Sequence, residues 1–451
     1  MPPGGPREER FGYHLQSLAR PLSSPNPTFR CIVAVPAMAF SASIVGTPTA
    51  VQQEIARLAG LREVRAAADW FRIHEPALRD WQLQVAAIPA PPFGEGPRTE
   101  WMRVRFSELG LEEVQVDAVG NVLGTRPGAD RNQKLVAVTA HLDTVFAAGT
   151  ALNIRREGDR LHGAGISDNG AGIVGLLALA SALRVASVGH FAGLLFIANV
   201  GEEGEGDLRG MRHIFSESAW KDRIGPTVVL DGAAIDTVVT QALGSRRFQV
   251  TITGPGGHSW SDFGAPNPIV VLSRAIARFS RTELPVEPKI SANVGVISGG
   301  TSVNSIPESA SMRVDIRSSS QEEMDRLEHA LREAVAEAAA EYPRRARNGS
   351  RGIGCEIQLI GFRPAAELDP GARILQVIHA VDAHLGNRAR LHRASTDANI
   401  PLSLGREAIS IGAGGSGGGA HTLQEWYDPT ERDLGLKRAL LAVLALAGVP
   451  K

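Results

Sequence analysis

The sequence predicts an α/β fold, a larger domain on a largely parallel sheet into which a smaller ferredoxin-like (βαββαβ) domain is inserted. Three observations carry this. Leu135-Val-Ala-Val-Thr-Ala140, Gly193-Leu-Leu-Phe-Ile-Ala-Asn-Val200 and Thr227-Val-Val-Leu230 are short continuous apolar runs, the pattern of strands covered on both faces. A helical stretch over residues 170–185 separates the first two, giving strand, helix, strand. Residues 248–362 then read strand, helix, strand, strand, helix, strand, the split unit of a ferredoxin-like sandwich.

Taken in order, residues 49–87 are helical, with Ile55, Leu58, Leu61, Val64, Leu78, Trp81 and Val85 recurring at three- and four-residue intervals. Pro76 is expected to split them into two helices. Ile88-Pro-Ala-Pro-Pro-Phe-Gly-Glu95 is a Pro/Gly loop, residues 101–109 a helix, and 114–123 a strand or hairpin. The inserted unit consists of strand 248–253, helix 268–280, strands 292–297 and 311–317, helix 321–342 and strand 355–362. Helix 372–385, strand 408–411 and helix 431–447 return to the first style. The expected organisation is therefore an extension at 1–48, a main domain in two parts at 49–243 and 364–451, and an inserted lid at 244–363. No internal repeat is found, and Gly414-Gly-Ser-Gly-Gly-Gly419 is expected to be a flexible loop.

Two domains suit the length, because single cores stop growing at roughly 250–300 residues and the chain has 451. A composition 43% hydrophobic and 21% charged fits a globular enzyme, and a formal net charge of -1 gives no electrostatic basis for nucleic-acid or membrane partners. With only Cys31 and Cys355, metal chemistry here would use nitrogen and oxygen ligands. No apolar run is long and clean enough for a transmembrane helix. The basic flank at Arg30, the apolar stretch from Cys31 to Phe40 and the small residues after it resemble a secretory signal, but Pro36 interrupts it deep in the chain. Cytoplasmic location is the expectation, with export through this segment as the alternative.

Acids and histidines follow the apolar runs, where open α/β sheets place their sites. His141 ends the first run, and Asp143 is placed to accept a hydrogen bond from its far ring nitrogen. A lone histidine at a strand end is more often structural. His162-Gly-Ala-Gly-Ile-Ser-Asp168-Asn-Gly-Ala-Gly172 delivers an acid to a helix start, which capping alone would explain. Its glycines let backbone and solvent approach the carboxylate. Glu202 and Glu203, in Asn199-Val-Gly-Glu-Glu-Gly-Glu205, end a core strand, where mutual repulsion calls for an offsetting cation or proton. Asp231 repeats the strand-then-acid pattern, and His421 follows the Gly-rich segment.

These motifs resemble the M20-type metallopeptidase and amidohydrolase family, which includes glutamate carboxypeptidase, aminoacylase, peptidase T and dipeptidases, over most of the chain from about residue 58. The resemblance implies two divalent cations, zinc or in substitution cobalt or manganese. One would be held by His141 and Asp231, the other by Glu203 and His421, with Asp168 bridging, Asp143 supporting His141 and Glu202 as general base. Two dications balance three carboxylates and a hydroxide, so the filled site is neutral. His258, in Gly256-Gly-His-Ser-Trp260, resembles the lid histidine that steadies the oxyanion, often in the partner's site. Asn304 and Arg317 match substrate-contacting residues, and Gly418 and Gly419 are placed to approach the substrate backbone.

The implied activity is hydrolysis of peptide or amide bonds by a homodimer, as a di- or tripeptidase of the exopeptidase kind. Asn169-Gly170 and Asp231 depart from the residues common in deacylases and carboxypeptidases and tilt the reading toward peptidases. The alternatives are an N-acyl amino acid deacylase and a catalytically silent peptide-binding homologue. Ser395-Thr-Asp-Ala-Asn399 resembles the segment that approaches substrate in the same family, with no role assigned to Asp397.

Overall fold

The computed structural model describes residues 48–342 and 352–450. The signal-like segment lies outside the described residues. Residues 49–87 form three helices rather than two, Ala50–Gly60, Arg62–Ile73 and Glu75–Ala86. Pro76 stands in the first turn of the third, where its missing N–H costs no helical bond. The unexpected break is at Leu61, whose backbone is extended. Apolar spacing runs through it because Leu58 and Val64, on either side, pack into the same core.

The central sheet runs Glu112–Val116, Val122–Arg126, Leu194–Asn199, Leu135–His141, Ile224–Leu230, Ala408–Ile411, Thr237–Ala242 and Ala366–Glu367, with Arg390–Ala394 also pairing with Thr237–Ala242. Its middle four strands are mutually parallel. The first two strands form an antiparallel hairpin that joins Leu194–Asn199 antiparallel. Strands Thr237–Ala242 and Arg390–Ala394 and the helix Arg209–Ser216 escape sequence reading. Thr237–Ala242 alternates buried with half-buried positions and lacks the continuous apolar run that marks the middle strands.

Helix Gly170–Val185 is buried on nearly every face, and with Arg432–Ala447 it packs against the middle of the sheet. Register sets the strand ends level: His141 pairs with Asn199, and Leu230 with Ile411. Whatever follows these strands therefore emerges along one edge.

The inserted unit is a four-stranded antiparallel sheet in the order Ile290–Gly299, Ser309–Ser318, Gly244–Thr253, Gly354–Arg363. Helices Pro268–Phe279 and Gln321–Ala340 cover one face around Phe248, Val250, Ile252, Met312 and Val314, a core separate from that of the main sheet. Among the described residues no helix is long and apolar enough to cross a membrane.

Candidate metal centre

The edge of the sheet gathers the acids and histidines. His141 closes strand Leu135–His141, Glu202 and Glu203 follow Leu194–Asn199, and Asp231 follows Ile224–Leu230. Asp168 stands just before helix Gly170–Val185, and His421 lies past strand Ser416–Gly418 in a left-handed backbone conformation, φ 64°.

Asp168 divides its carboxylate between the two histidines. Oδ1 is 3.1 Å from His141 Nε2, and Oδ2 is 3.2 Å from His421 Nε2. A second carboxylate completes each side. Asp231 Oδ1 is 3.8 Å from His141 Nε2, and Glu203 Oε1 is 2.9 Å from His421 Nε2. The result is two triads sharing one residue, His141–Asp168–Asp231 and Asp168–Glu203–His421, each with ligand atoms within 4.8 Å of one another. Glu202 forms a third such group with His141 and Glu203.

Electrostatics follow from this crowding. Burial opposes a charge on His141, but Asp143, Asp168 and Asp231 overcome it and raise its pKa well above the ordinary imidazole value. Hydrogen bonds to Asp168 and Glu203 push His421 up to about 10. Burial would raise Asp168, yet the two histidines hold it below the usual carboxylate range. Glu202 goes the other way. Its burial dominates and raises it well above the usual value, with the Arg363 guanidinium opposing.

Backbone bonds aim these side chains. His141 Nδ1 meets the main-chain carbonyl of Asp143 at 3.1 Å, which leaves Nε2 for the cluster. The Asp143 carboxylate, expected on that nitrogen, is 3.6 Å away and instead accepts the main-chain N–H groups of Glu202 and Glu203 at 2.9 and 2.7 Å. Asn169 ties two acid-bearing loops together. Its Nδ2 donates to the Leu230 carbonyl and its Oδ1 accepts from Gly172 and Gly232.

Three residues with structural roles here carry little signal in the sequence. Glu425 accepts the main-chain N–H groups of Gly165, Ser167 and Asp168, each at 2.7 Å, and burial raises its pKa to about 7 against those bonds. Arg363 donates to Glu202 Oε1 at 2.9 Å. Asp397, noticed in the sequence without a role, accepts from Asn199 Nδ2 at 2.7 Å at the end of a core strand, and burial pushes it up to about 7. A lone Glu beside Trp426-Tyr427 and a lone Arg at a strand end match no motif.

His258, Asn304 and Arg317 have their polar contacts elsewhere. His258 and Asn304 are neighbours on exposed loops. Gly257–His258 pairs with Ser305–Ile306, and Ser259 donates to the Asn304 carbonyl at 3.0 Å. Arg317 is paired with Asp315 at 2.7 Å. None of the three has a hydrogen bond or ion pair to the five clustered residues. The Gly-rich segment is not the flexible loop expected. Ser416–Gly418 is a strand pairing with Trp426–Asp428, and a Cβ on Gly418 would stand 2.8 Å from the Trp426 indole nitrogen. A Cβ on Gly417 would stand closer still to Ser167 Oγ, at 2.4 Å, and Gly419 has φ 71°, so packing and backbone conformation require glycine in this run.

The donor set fits a pair of divalent cations. It offers two imidazoles and three carboxylates, with the central carboxylate presenting one oxygen to each side. Without thiolate ligands it suits zinc, cobalt or manganese.

Residues 241–343 match the family model of the peptidase dimerisation domain, and residues 121–251 match that of peptidase family M28. N-acetyldiaminopimelate deacetylase of Halalkalibacterium halodurans is 26% identical over 322 residues, covering 67% of this chain and 78% of the relative. The crystal structure of aminopeptidase PepT from Bacillus cereus superposes with a TM-score of 0.66 at 19% identity, over 82% of this chain and 98% of that one. The Bacillus subtilis YXEP protein, described as a dinuclear metal-binding peptidase from the M20 family, gives 0.63 at 16% identity, over 84% and 100%. These structural likenesses concern the fold, a mixed α/β main domain with a dimerisation domain.

Proposed function

We propose that the chain is a hydrolase of C–N bonds of the M20-type metallopeptidase and amidohydrolase group, and within it a di- or tripeptidase of the exopeptidase kind using two divalent cations, zinc foremost. The match to the peptidase dimerisation domain and the identity to a deacetylase support the group. One observation carries the reading: Asp168 presents one oxygen to His141 and the other to His421, and each side is completed by one further carboxylate.

In this reading His141, Asp168 and Asp231 hold one cation, and Asp168, Glu203 and His421 hold the other. Bound there, the cations would supply Lewis-acid polarisation of the scissile carbonyl and acidify water. Glu202 takes the proton of the attacking water and returns it to the departing amine. Its position suits this, because Glu202 is buried and its carboxylate stands within ligand distance of His141 and Glu203, beside the expected cations. Asp143 sets the geometry by holding the backbone of both glutamates. His258, Asn304 and Arg317 are assigned to the substrate, with His258 serving the oxyanion and Arg317 a carboxylate. The match of residues 241–343 to a peptidase dimerisation domain supports a homodimer.

A second reading, removal of an acyl group from an amino acid, is favoured by the 26% identity to a deacetylase. A panel of dipeptides, tripeptides and N-acyl amino acids, assayed with zinc, cobalt or manganese, separates the two. Faster turnover of free di- or tripeptides supports the peptidase. Turnover confined to N-acyl substrates supports the deacylase, and hydrolysis of none refutes both.

A further inference from the structure

We infer that Arg363 is a positioning residue for Glu202, a guanidinium clamp through which the last strand of the inserted domain sets the orientation of the base. The inference rests on the reading of Glu202 as that base.

Arg363 ends strand Gly354–Arg363 and is 6% exposed. Its Nη1 donates to Glu202 Oε1 at 2.9 Å and to Ser395 Oγ at 3.1 Å, while Nη2 donates to the Glu202 main-chain carbonyl. One guanidinium therefore holds both ends of the same glutamate, which fixes side-chain torsions as well as charge. A lysine could supply the charge but not this planar pair of contacts.

The clamp also leaves the carboxylate with one free end. No donor among the described residues reaches Glu202 Oε2, so Oε2 remains to meet water while Oε1 stays anchored. Glu202 is 5% exposed and adjoins Glu203, a setting in which an unpaired carboxylate would be costly. Arg363 offsets that cost from outside the cluster without occupying it.

The same strand end is bolted to the loop that follows Glu203. The Phe362 N–H donates to both Asp207 oxygens at 3.0 Å, and Arg212 donates to the Phe362 carbonyl. From the neighbouring strand, Arg247 donates to the Gly204 carbonyl at 2.6 Å. The inserted domain is thereby tied to residues 204 and 207 as well as to Glu202. On the other side, Ser395 joins the clamp to the segment whose Asp397 holds Asn199.

The test uses the full-length chain and the variants Arg363→Gln, Arg363→Lys, Glu202→Gln and the double variant Arg363→Gln/Glu202→Gln. In urea unfolding of the metal-free protein, the two Gln substitutions should be non-additive by about tenfold in the unfolding equilibrium constant. After metal loading, Arg363→Gln should hold as much metal as the parent, with kcat for a dipeptide down about 10–100-fold and KM little changed. Arg363→Lys should recover only part of the loss, and millimolar guanidinium should partly restore Arg363→Gln but not Glu202→Gln. Additive unfolding, loss of bound metal from Arg363→Gln, or unchanged kcat would each overturn the proposal. A parent chain inactive on every peptide and N-acyl amino acid would refute the hydrolase mechanism, and the unfolding cycle would still decide whether Arg363 clamps Glu202.

Discussion

The Asp143 carboxylate accepts the main-chain N–H of Glu203 at 2.7 Å, so the residue two positions beyond His141 fixes the backbone from which another candidate ligand projects. It holds the neighbouring Glu202 N–H as well. Asp143→Ala should leave two buried donors without a partner, at about 1–3 kcal/mol each. Metal affinity should fall by about 10–100-fold. Urea unfolding and metal titration against a chromogenic chelator check the two effects separately.

The adjacent glutamates should behave differently. Glu202→Ala is expected to keep its metal and lose about 10²–10⁴ in kcat, whereas Glu203→Ala loses metal affinity. Metal analysis of the purified variants decides the assignment, and a metal-free Glu202→Ala protein would reverse it.

Prolonged chelation should abolish hydrolysis, and zinc, cobalt or manganese should restore it. Cobalt should also give visible absorption bands that His421→Ala alters. Full activity in chelated, metal-free protein would sink the two-cation mechanism.

Glu425 binds three N–H groups of the turn that presents Asp168. Glu425→Gln places an amide N–H₂ where a carboxylate oxygen accepted, so at least one buried donor loses its partner, at about 1–3 kcal/mol. Thermal unfolding should show the loss, and metal affinity should drop with it although Glu425 is not an expected ligand.

His190 offers a pH test away from the cluster. It is buried, its Nδ1 bonds the Ala192 carbonyl and its Nε2 faces Arg126. Burial, helped by the Arg126 charge, lowers its pKa below the ordinary imidazole value. The unfolded chain therefore binds the proton more readily than the folded one. Its contribution to stability is complete above the unfolded value, about 6.5, and is lost as pH falls from there toward the folded value. Urea midpoints of His190→Gln should fall less steeply than the parent's between pH 7 and 5, and parallel curves would refute the assignment.

Much of the fold was legible because its signals are local. Helix 170–185 and strand 408–411 match the structure at both ends, since an apolar run flanked by glycine or polar residues has few other ways to bury itself. The strand-helix-strand-strand-helix-strand order of the inserted domain was readable for the same reason. The break at Leu61 was not, because helices on both sides share one core and one apolar spacing. The Gly-rich run misled because composition reports freedom of the backbone and not what packs against it; here Trp426 and Ser167 do.

By itself the sequence determined which acids and histidines stand at strand and helix ends, because the periodicity that defines each element also defines where it stops. The convergence of His141, Asp168, Glu203, Asp231 and His421, with Asp168 between the two histidines, could be expected from motif order and the family resemblance, and the tertiary structure adds which oxygen of Asp168 meets which histidine. It alone brought Glu425 to Asp168 across 257 residues and Arg363 to Glu202 across 161. Such contacts join segments whose separation leaves no periodic trace in the chain, and they form only when the sheet edge and the inserted domain bring those segments together.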